Sequence, residues 1–319
     1  MGTYPYDRPH GLMFHRFHRE GDRPVGICSV SDVKFEAILR YVGTERIISP
    51  REWLARVKSG RLQSTDICIT FDDGLRSQFE VALPVLNRLG LKSFWFVFSK
   101  VLSGGADRNE IASYLASFIF PSTKEFAERF EQHATLAADE LTSPTFIAFS
   151  KILKKRFDFY SDVDIRFRYI RNFLLSREKF DAIVDRMIGE AGLTVTEIAS
   201  RLWFNEQDLL TLHRNGHTIG LHSFSHPFIL ASLPLSEQKA EYKTNHRHLS
   251  AITGSPLESM SHPLNSYSKE TLGILKNLNI ACGFCSNMDV PKGSEVVNPS
   301  NLEFARVDSA ELLKLTEVI

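Results

Sequence analysis

The 319-residue chain lacks most of the features that would commit it to a special environment. Its 38 basic and 38 acidic side chains cancel, so composition supplies no electrostatic footprint for nucleic acid and no attraction to an anionic membrane surface. Nowhere does the sequence hold the ~20 consecutive apolar residues of a membrane span. Residues 1–11 are polar and rich in proline and glycine, without the apolar core and cleavage pattern of a secretory signal. These absences predict a cytoplasmic protein with no membrane span. No internal repeat and no low-complexity segment is present. Cysteine is scarce: of Cys28, Cys68, Cys282 and Cys285, only the last two lie close together. A zinc ribbon needs a second Cys-x-x-Cys pair, and this pair sits in an apolar, strand-like run over 280–285 instead of ahead of a helix. All four are therefore read as packing residues. No histidine occurs after His262.

What the chain does contain is ordinary globular material, 43% apolar and 24% charged, long enough for one large core or a core with an insertion. Residues 11–17 read as a first strand with histidines at its end. Ser31 or Asp32 caps a helix whose inward face is Phe35, Ile38, Leu39 and Val42. Ser49-Pro50 opens another with Trp53, Leu54 and Val57 inward. A buried strand from Ile67, a helix over 77–89 kinked near Glu80 by Pro84, and an aromatic strand over 93–98 follow. This strand–helix–strand rhythm predicts an α/β fold with a parallel sheet. From about 103 to 196 the pattern turns helical, with Phe180, Ile183, Val184, Met187 and Ile188 on one face, and is read as an insertion in a single 1–319 domain. Such a block could serve as a lid or as the face of a homo-oligomer. The rhythm then resumes with a helix over 205–213, a strand over 217–221, a helix over 236–252, strand-to-loop passages at 260–267 and 280–286, and a last short strand over 304–307.

The chain is organised around Ile67–Gly74, an apolar run ending in Asp72, Asp73 and Gly74. Successive strand side chains point to opposite faces, so two aspartates can face one site only where the strand has broken into its loop, a break that Gly74 permits. Adjacent carboxylates repel unless a cation or proton intervenes; the alternative is an acidic corner in which Asp73 caps the next helix. The second motif is His222-Ser-Phe-Ser-His226-Pro227. A residue before proline is pushed out of the helical region, so this His-x-x-x-His wraps around a strand end as a loop. Both motifs follow strands, and the carboxyl ends of the strands form the site in α/β folds. One carboxylate and two neutral imidazoles make a ligand set with open positions, as a catalytic zinc or similar ion requires. The second aspartate is then left free as a base.

Thr70-Phe71-Asp72-Asp73-Gly74, followed by Gly216-His217-Thr-Ile-Gly-Leu-His222-Ser-Phe-Ser-His226-Pro227, resembles the polysaccharide deacetylase family, the NodB-homology domain of carbohydrate esterase family 4. The resemblance covers about 11–100 and 200–310. It implies a distorted, incomplete (β/α) barrel that removes N-acetyl groups from amino sugars with a bound divalent metal, zinc or another transition metal. It also implies that Asp72 is the general base and that Asp73, His222 and His226 are the metal ligands. His217 matches a position read as a satisfied buried histidine. Ser261-His262-Pro263-Leu264-Asn265-Ser266-Tyr267 resembles the family variant Ala-Tyr-Pro-Tyr-Gly-x-Tyr, so Pro263, Leu264 and Tyr267 are candidates for substrate or oxyanion contacts, with the Leu264 backbone N–H as the oxyanion donor. Asn265 stands where the family has glycine, which suits a left-handed position.

Two departures matter. The family's loop arginine, which pairs with the base, is missing; Arg306, from the next strand end, is the candidate to supply its charge. The C-terminal Leu-His motif that supplies the general acid is missing too. Leu12-Met13-Phe14-His15-Arg16, however, resembles the opening of a circularly permuted subgroup whose acid histidine precedes the Asp-Asp motif. On that match His15 is the acid, with His18 and His262 as fallbacks. The aspartate and tryptophan loop that lines the family's groove is also not recognisable after Cys285, and this, with a cytoplasmic setting, favours an acylated amino sugar or carrier-linked saccharide, such as an intermediate in surface-polysaccharide or lipopolysaccharide assembly. A deformylase, a cyclic-amide or ureide hydrolase, and a non-catalytic sugar-binding module are the alternatives.

Overall fold

The computed structural model describes residues 4–23, 29–137, 139–156 and 160–317; Cys28 lies outside them. The chain divides into two compact units, Met1–Gly105 with Trp203–Ile319, and Ala106–Leu202.

Among its described residues the first unit carries nine strands: β1 (His10–Phe14), β2 (Phe17–His18), β3 (Val30–Ser31), β4 (Ile67–Asp72), β5 (Ser93–Val97), β6 (Thr218–Leu221), β7 (Ser259–Ser261), β8 (Cys282–Phe284) and β9 (Arg306–Asp308). Seven form one parallel sheet in the order β8-β7-β6-β5-β4-β1-β9. Just before β9, Phe304 bridges Phe284 of β8, its N–H donating to Gly283 O at 2.9 Å while Cys285 N–H donates to its carbonyl at 2.8 Å. The two ends of the sheet thus meet, and it nearly closes into a barrel.

Every residue of β4 is buried, as expected of a parallel strand covered on both faces. Its alternation sorts the core. Ile67, Ile69 and Phe71 join the larger apolar cluster with Phe35, Ile38 and Leu39 of the helix Asp32–Val42 and with Leu83 and Leu86. Cys68 joins the smaller one, with Phe94, Phe96, Cys282, Phe284 and Phe304. The smaller cluster is the barrel interior, and period two puts Thr70 and Asp72 on that same face. Helix starts follow the caps read from the sequence. Ser31 accepts Lys34 N–H at 3.2 Å, and Ser49 accepts Glu52 N–H at 3.2 Å ahead of Pro50 at the first helical position.

One expectation needs correction and another takes a specific form. The first strand ends at Phe14 and not at Phe17, because the chain turns at His15 and Arg16 and residues Phe17–His18 pair instead with Val30–Ser31. The irregularity expected near Glu80 from Pro84 takes the form of a register slip. The chain widens into a π-turn over Gln78–Ala82, with Leu83 N–H bonded to Gln78 O, before the helix Leu83–Leu89. Proline has no N–H to offer the carbonyl four residues back, and a one-residue register slip absorbs that gap.

The second unit is helical, with no strand among its described residues. Its main helices are Arg108–Tyr114, Thr123–Ala134, Pro144–Arg156, Asp162–Tyr169, Arg177–Glu190 and Val195–Leu202. The face read from the sequence, Phe180, Ile183, Val184, Met187 and Ile188, is buried, and Phe130 packs edge-on against Phe167 with ring centroids 4.9 Å apart.

Candidate active site

The site forms where β4 ends. Asp73 takes φ 75° and Gly74 φ 64°, so the strand breaks within the Asp-Asp pair and both carboxylates turn to one side. Asp73 Oδ1 is buried without a hydrogen bond. It faces His222 Nε2 at 3.4 Å and His226 Nε2 at 3.6 Å, and one ligand atom from each of the three residues falls within a 4.8 Å cluster. A tetrahedral ion with bonds of ~2.1 Å has ligand atoms about 3.4 Å apart, so this donor set fits a divalent metal of the zinc type. Burial works to raise the Asp73 carboxyl, but the imidazoles of His222, His226 and His15 overcome it and hold the group far below the ordinary carboxylate range.

The histidine loop is pinned from the helix Leu235–Thr253. Glu241 accepts Phe224 N–H and Ser225 N–H, each at 2.8 Å, and the Ser225 hydroxyl at 2.7 Å. Asn245 accepts His222 N–H at 3.1 Å and donates to Val97 O and Ser99 Oγ. His226, immediately before Pro227, sits at φ 55°, outside the right-handed helical region. His222 Nδ1 lies 3.0 Å from Ser261 O and 2.7 Å from Ser261 Oγ. With that nitrogen so engaged, Nε2 is the atom presented to an ion, the usual arrangement around a metal-binding histidine.

Asp72 is held differently. Arg306 is fully buried and makes a fork, Nη1 to Oδ1 and Nη2 to Oδ2, each at 2.8 Å. It also donates through Nε to Cys285 O and through Nη1 to Thr70 Oγ1. Ser261 Oγ donates to Asp72 Oδ1 at 3.2 Å. Room for the guanidinium stem comes from Gly11, where a Cβ would stand 3.0 Å from Arg306 Cγ. Burial works to raise the Asp72 carboxyl, but the Arg306 charge, then His222, outweighs it and keeps the group below its ordinary value. His15 Nε2 lies 3.9 Å from Asp72 Oδ2, its side chain one-third exposed.

Asp72, Asp73, His15, His222, His226 and Arg306 are thus brought to one place. The remaining candidates take other positions. Tyr267 donates its hydroxyl to Glu303 at 3.1 Å and stacks on His262 at 4.1 Å. His262 Nε2 is bound to Leu302 O at 2.9 Å, and burial pulls its imidazole down to about 3. His18 Nδ1 pairs with Ser29 Oγ at 2.9 Å. Pro263 is buried; Leu264 is exposed at φ 48°, followed by Asn265 at φ 57°. His217 is buried under Ser93, whose N–H reaches its Nδ1 at 3.2 Å, and burial lowers its imidazole to about 4. Sequence reading did not single out Glu241, Asn245, Ser261 or Gln78. One signal existed: Asn245 interrupts the buried stripe Tyr242, Leu249 and Thr253 at a core position.

A nearly closed parallel barrel with a His2Asp cluster at its carboxyl end defines the deacetylase type of fold. Comparison with known proteins agrees. The pattern of the family described as polysaccharide deacetylase matches residues 183–283, a stretch that holds His222, His226 and Pro263. Among solved structures, the chain is similar to the Streptococcus pyogenes deacetylase PplD in complex with acetate (TM-score 0.56, 14% identity, 97% of this chain and 98% of that one). It is also similar to IcaB from Ammonifex degensii (0.56, 13%, 98% and 97%). A third likeness is to the de-N-acetylase from Aggregatibacter actinomycetemcomitans (0.52, 12%, 97% and 100%). No curated protein matches the chain by sequence. The likeness to the polysaccharide deacetylases, NodB-type, therefore holds in family pattern and in fold.

Proposed function

We propose that the chain is a metal-dependent hydrolase that removes an N-acyl group, in the first place acetyl, from an amino sugar. The observation that carries this is the juxtaposition of Asp73, His222 and His226, with Asp73 Oδ1 buried and without a hydrogen bond, beside an arginine-held Asp72 and His15. Asp73, His222 and His226 would hold a divalent ion, zinc by the nature of the donors, which would supply Lewis acidity toward the amide carbonyl and acidify a water. Asp72, ionised beside Arg306, takes the proton of the attacking water. The Leu264 backbone N–H is a donor for the developing oxyanion. His15 gives a proton to the amine nitrogen as its bond to carbon breaks. The products are a free amino sugar and a carboxylate.

The position of His15 before the Asp-Asp motif, and beside Asp72 in space, supports grouping the chain with family members whose acid histidine is N-terminal. We further propose a small or carrier-linked saccharide as substrate, handled in the cytoplasm during surface-polysaccharide or lipopolysaccharide assembly. No helix among the described residues is long and apolar enough to cross a membrane. The helical unit is a candidate face for self-association. The test is metal analysis of the purified protein, followed by amine release from a panel of N-acetyl and N-formyl sugars. Near-stoichiometric divalent metal, with release abolished by chelation, is expected. Absence of metal and indifference to chelation would assign the chain to sugar binding without catalysis.

A further inference from the structure

β1 and β4 run in parallel register with Phe14 opposite Phe71, so the next residues, His15 and Asp72, stand side by side where the β1–β4 ladder stops, Asp72 still paired with Phe96 of β5. Gln78, six residues beyond Asp72 and fully buried, sits across that gap. Its Nε2 donates to the His15 carbonyl at 2.8 Å and to the Asp72 carbonyl. The neighbouring Ser77 Oγ accepts Phe17 N–H at 3.2 Å, so two consecutive residues clamp the turn that carries His15. Two carbonyls facing one amide fix its orientation, since a flip would set three oxygens together. The Gln78 side-chain amide oxygen, Oε1, is itself buried without a hydrogen bond. An unmet buried acceptor is a cost, so what the residue contributes lies in its two N–H groups. Gln78 is also the first residue of the π-turn Gln78–Ala82, and such turns are frequent at functional sites.

We infer that Gln78 is a positioning residue that holds His15 beside Asp72 by hydrogen-bonding both backbone carbonyls where the β1–β4 ladder ends, an inference that rests on the proposed acid role of His15. The test uses Gln78→Leu and the closely isosteric Gln78→Met, each read by crystal structure, metal content, and amine-release kinetics on an N-acetylglucosamine oligosaccharide. The expected result is that His15 Nε2 withdraws beyond its present 3.9 Å from Asp72 with metal content kept. Turnover should fall on the order of 10²-fold without a matching rise in KM, as small misplacements of a reacting group do. In a His15→Ala background the Gln78 change should add nothing. Retained His15–Asp72 spacing in either variant overturns the inference, and so does an equal loss in the His15→Ala background. If neither variant binds metal and both melt early, Gln78 serves folding and the inference fails. Full turnover in His15→Ala alone sinks the acid role; the crystal structures still decide whether Gln78 holds that turn.

Discussion

The two flanks of Asp72 are built in different ways. On one flank, Asp73, His222 and His226 come from two short stretches, each directly after a strand, and form a cluster of like purpose within 4.8 Å. On the other, Arg306 arrives from 234 residues away and His15 from the start of the chain. The first flank depends on backbone breaks encoded on the spot: a left-handed Asp73 before Gly74, and a left-handed His226 before Pro227. The second depends on register, since β1 and β9 must lie side by side beyond β4 for His15 and Arg306 to reach one carboxylate. The proposed ligand set is thus written in motifs, whereas the setting of the proposed base is written in the sheet.

The largest expected effect tests whether the flanks are separate. Asp72→Asn should cost on the order of 10²–10⁴ in rate and leave metal content unchanged by elemental analysis. His222→Ala should lose both metal and rate. If Asp72→Asn also emptied the metal site, the division between the flanks would collapse.

Next comes the arginine. Arg306→Met strips a fully buried carboxylate of its partner, which typically costs about 3–5 kcal/mol, measured as a drop in urea-unfolding free energy. Gly11→Val should act in the same direction and more weakly, because its side chain displaces the arginine stem without removing the charge. Unchanged stability in Arg306→Met would mean that the register-built flank is ornamental.

The smallest effect at neutral pH separates the histidines of the scaffold from those of the site. Burial holds His10 at about 4, His217 at about 4 and His262 at about 3, each below the 6.5 of a free imidazole. Between these values the unfolded chain binds protons that the folded one refuses. Stability from this source is therefore complete above about pH 6.5 and is lost as pH falls toward 4. His217→Phe should flatten that slope in urea titrations of metal-free protein; an unaltered slope would place the acid sensitivity elsewhere.

Legibility followed the same division. The caps at Ser31 and Ser49, the buried faces of the helices Asp32–Val42 and Arg177–Glu190, and the strand Ile67–Asp72 were readable because they rest on local periodicity. The π-turn at Gln78–Ala82 was not, since Pro84 says that a helix must adjust without saying how. Glu241 and Asn245 fall within the helix read over 236–252, but nothing in that reading showed that they anchor the histidine loop. A polar side chain on a helix does not declare whether the partner it meets is water or a backbone.

By itself, then, the sequence determined an α/β rhythm, the two strand-end motifs and the chemistry of their donors, because each is set within a few residues by sterics and side-chain type. Tertiary structure alone decided that Arg306 forks onto Asp72, that Ser261 Oγ lies between Asp72 and His222 Nδ1, and that Gln78 ties Asp72 to His15. Those contacts join separate strands and the turns beyond them, and such pairings exist only once the barrel has set their register.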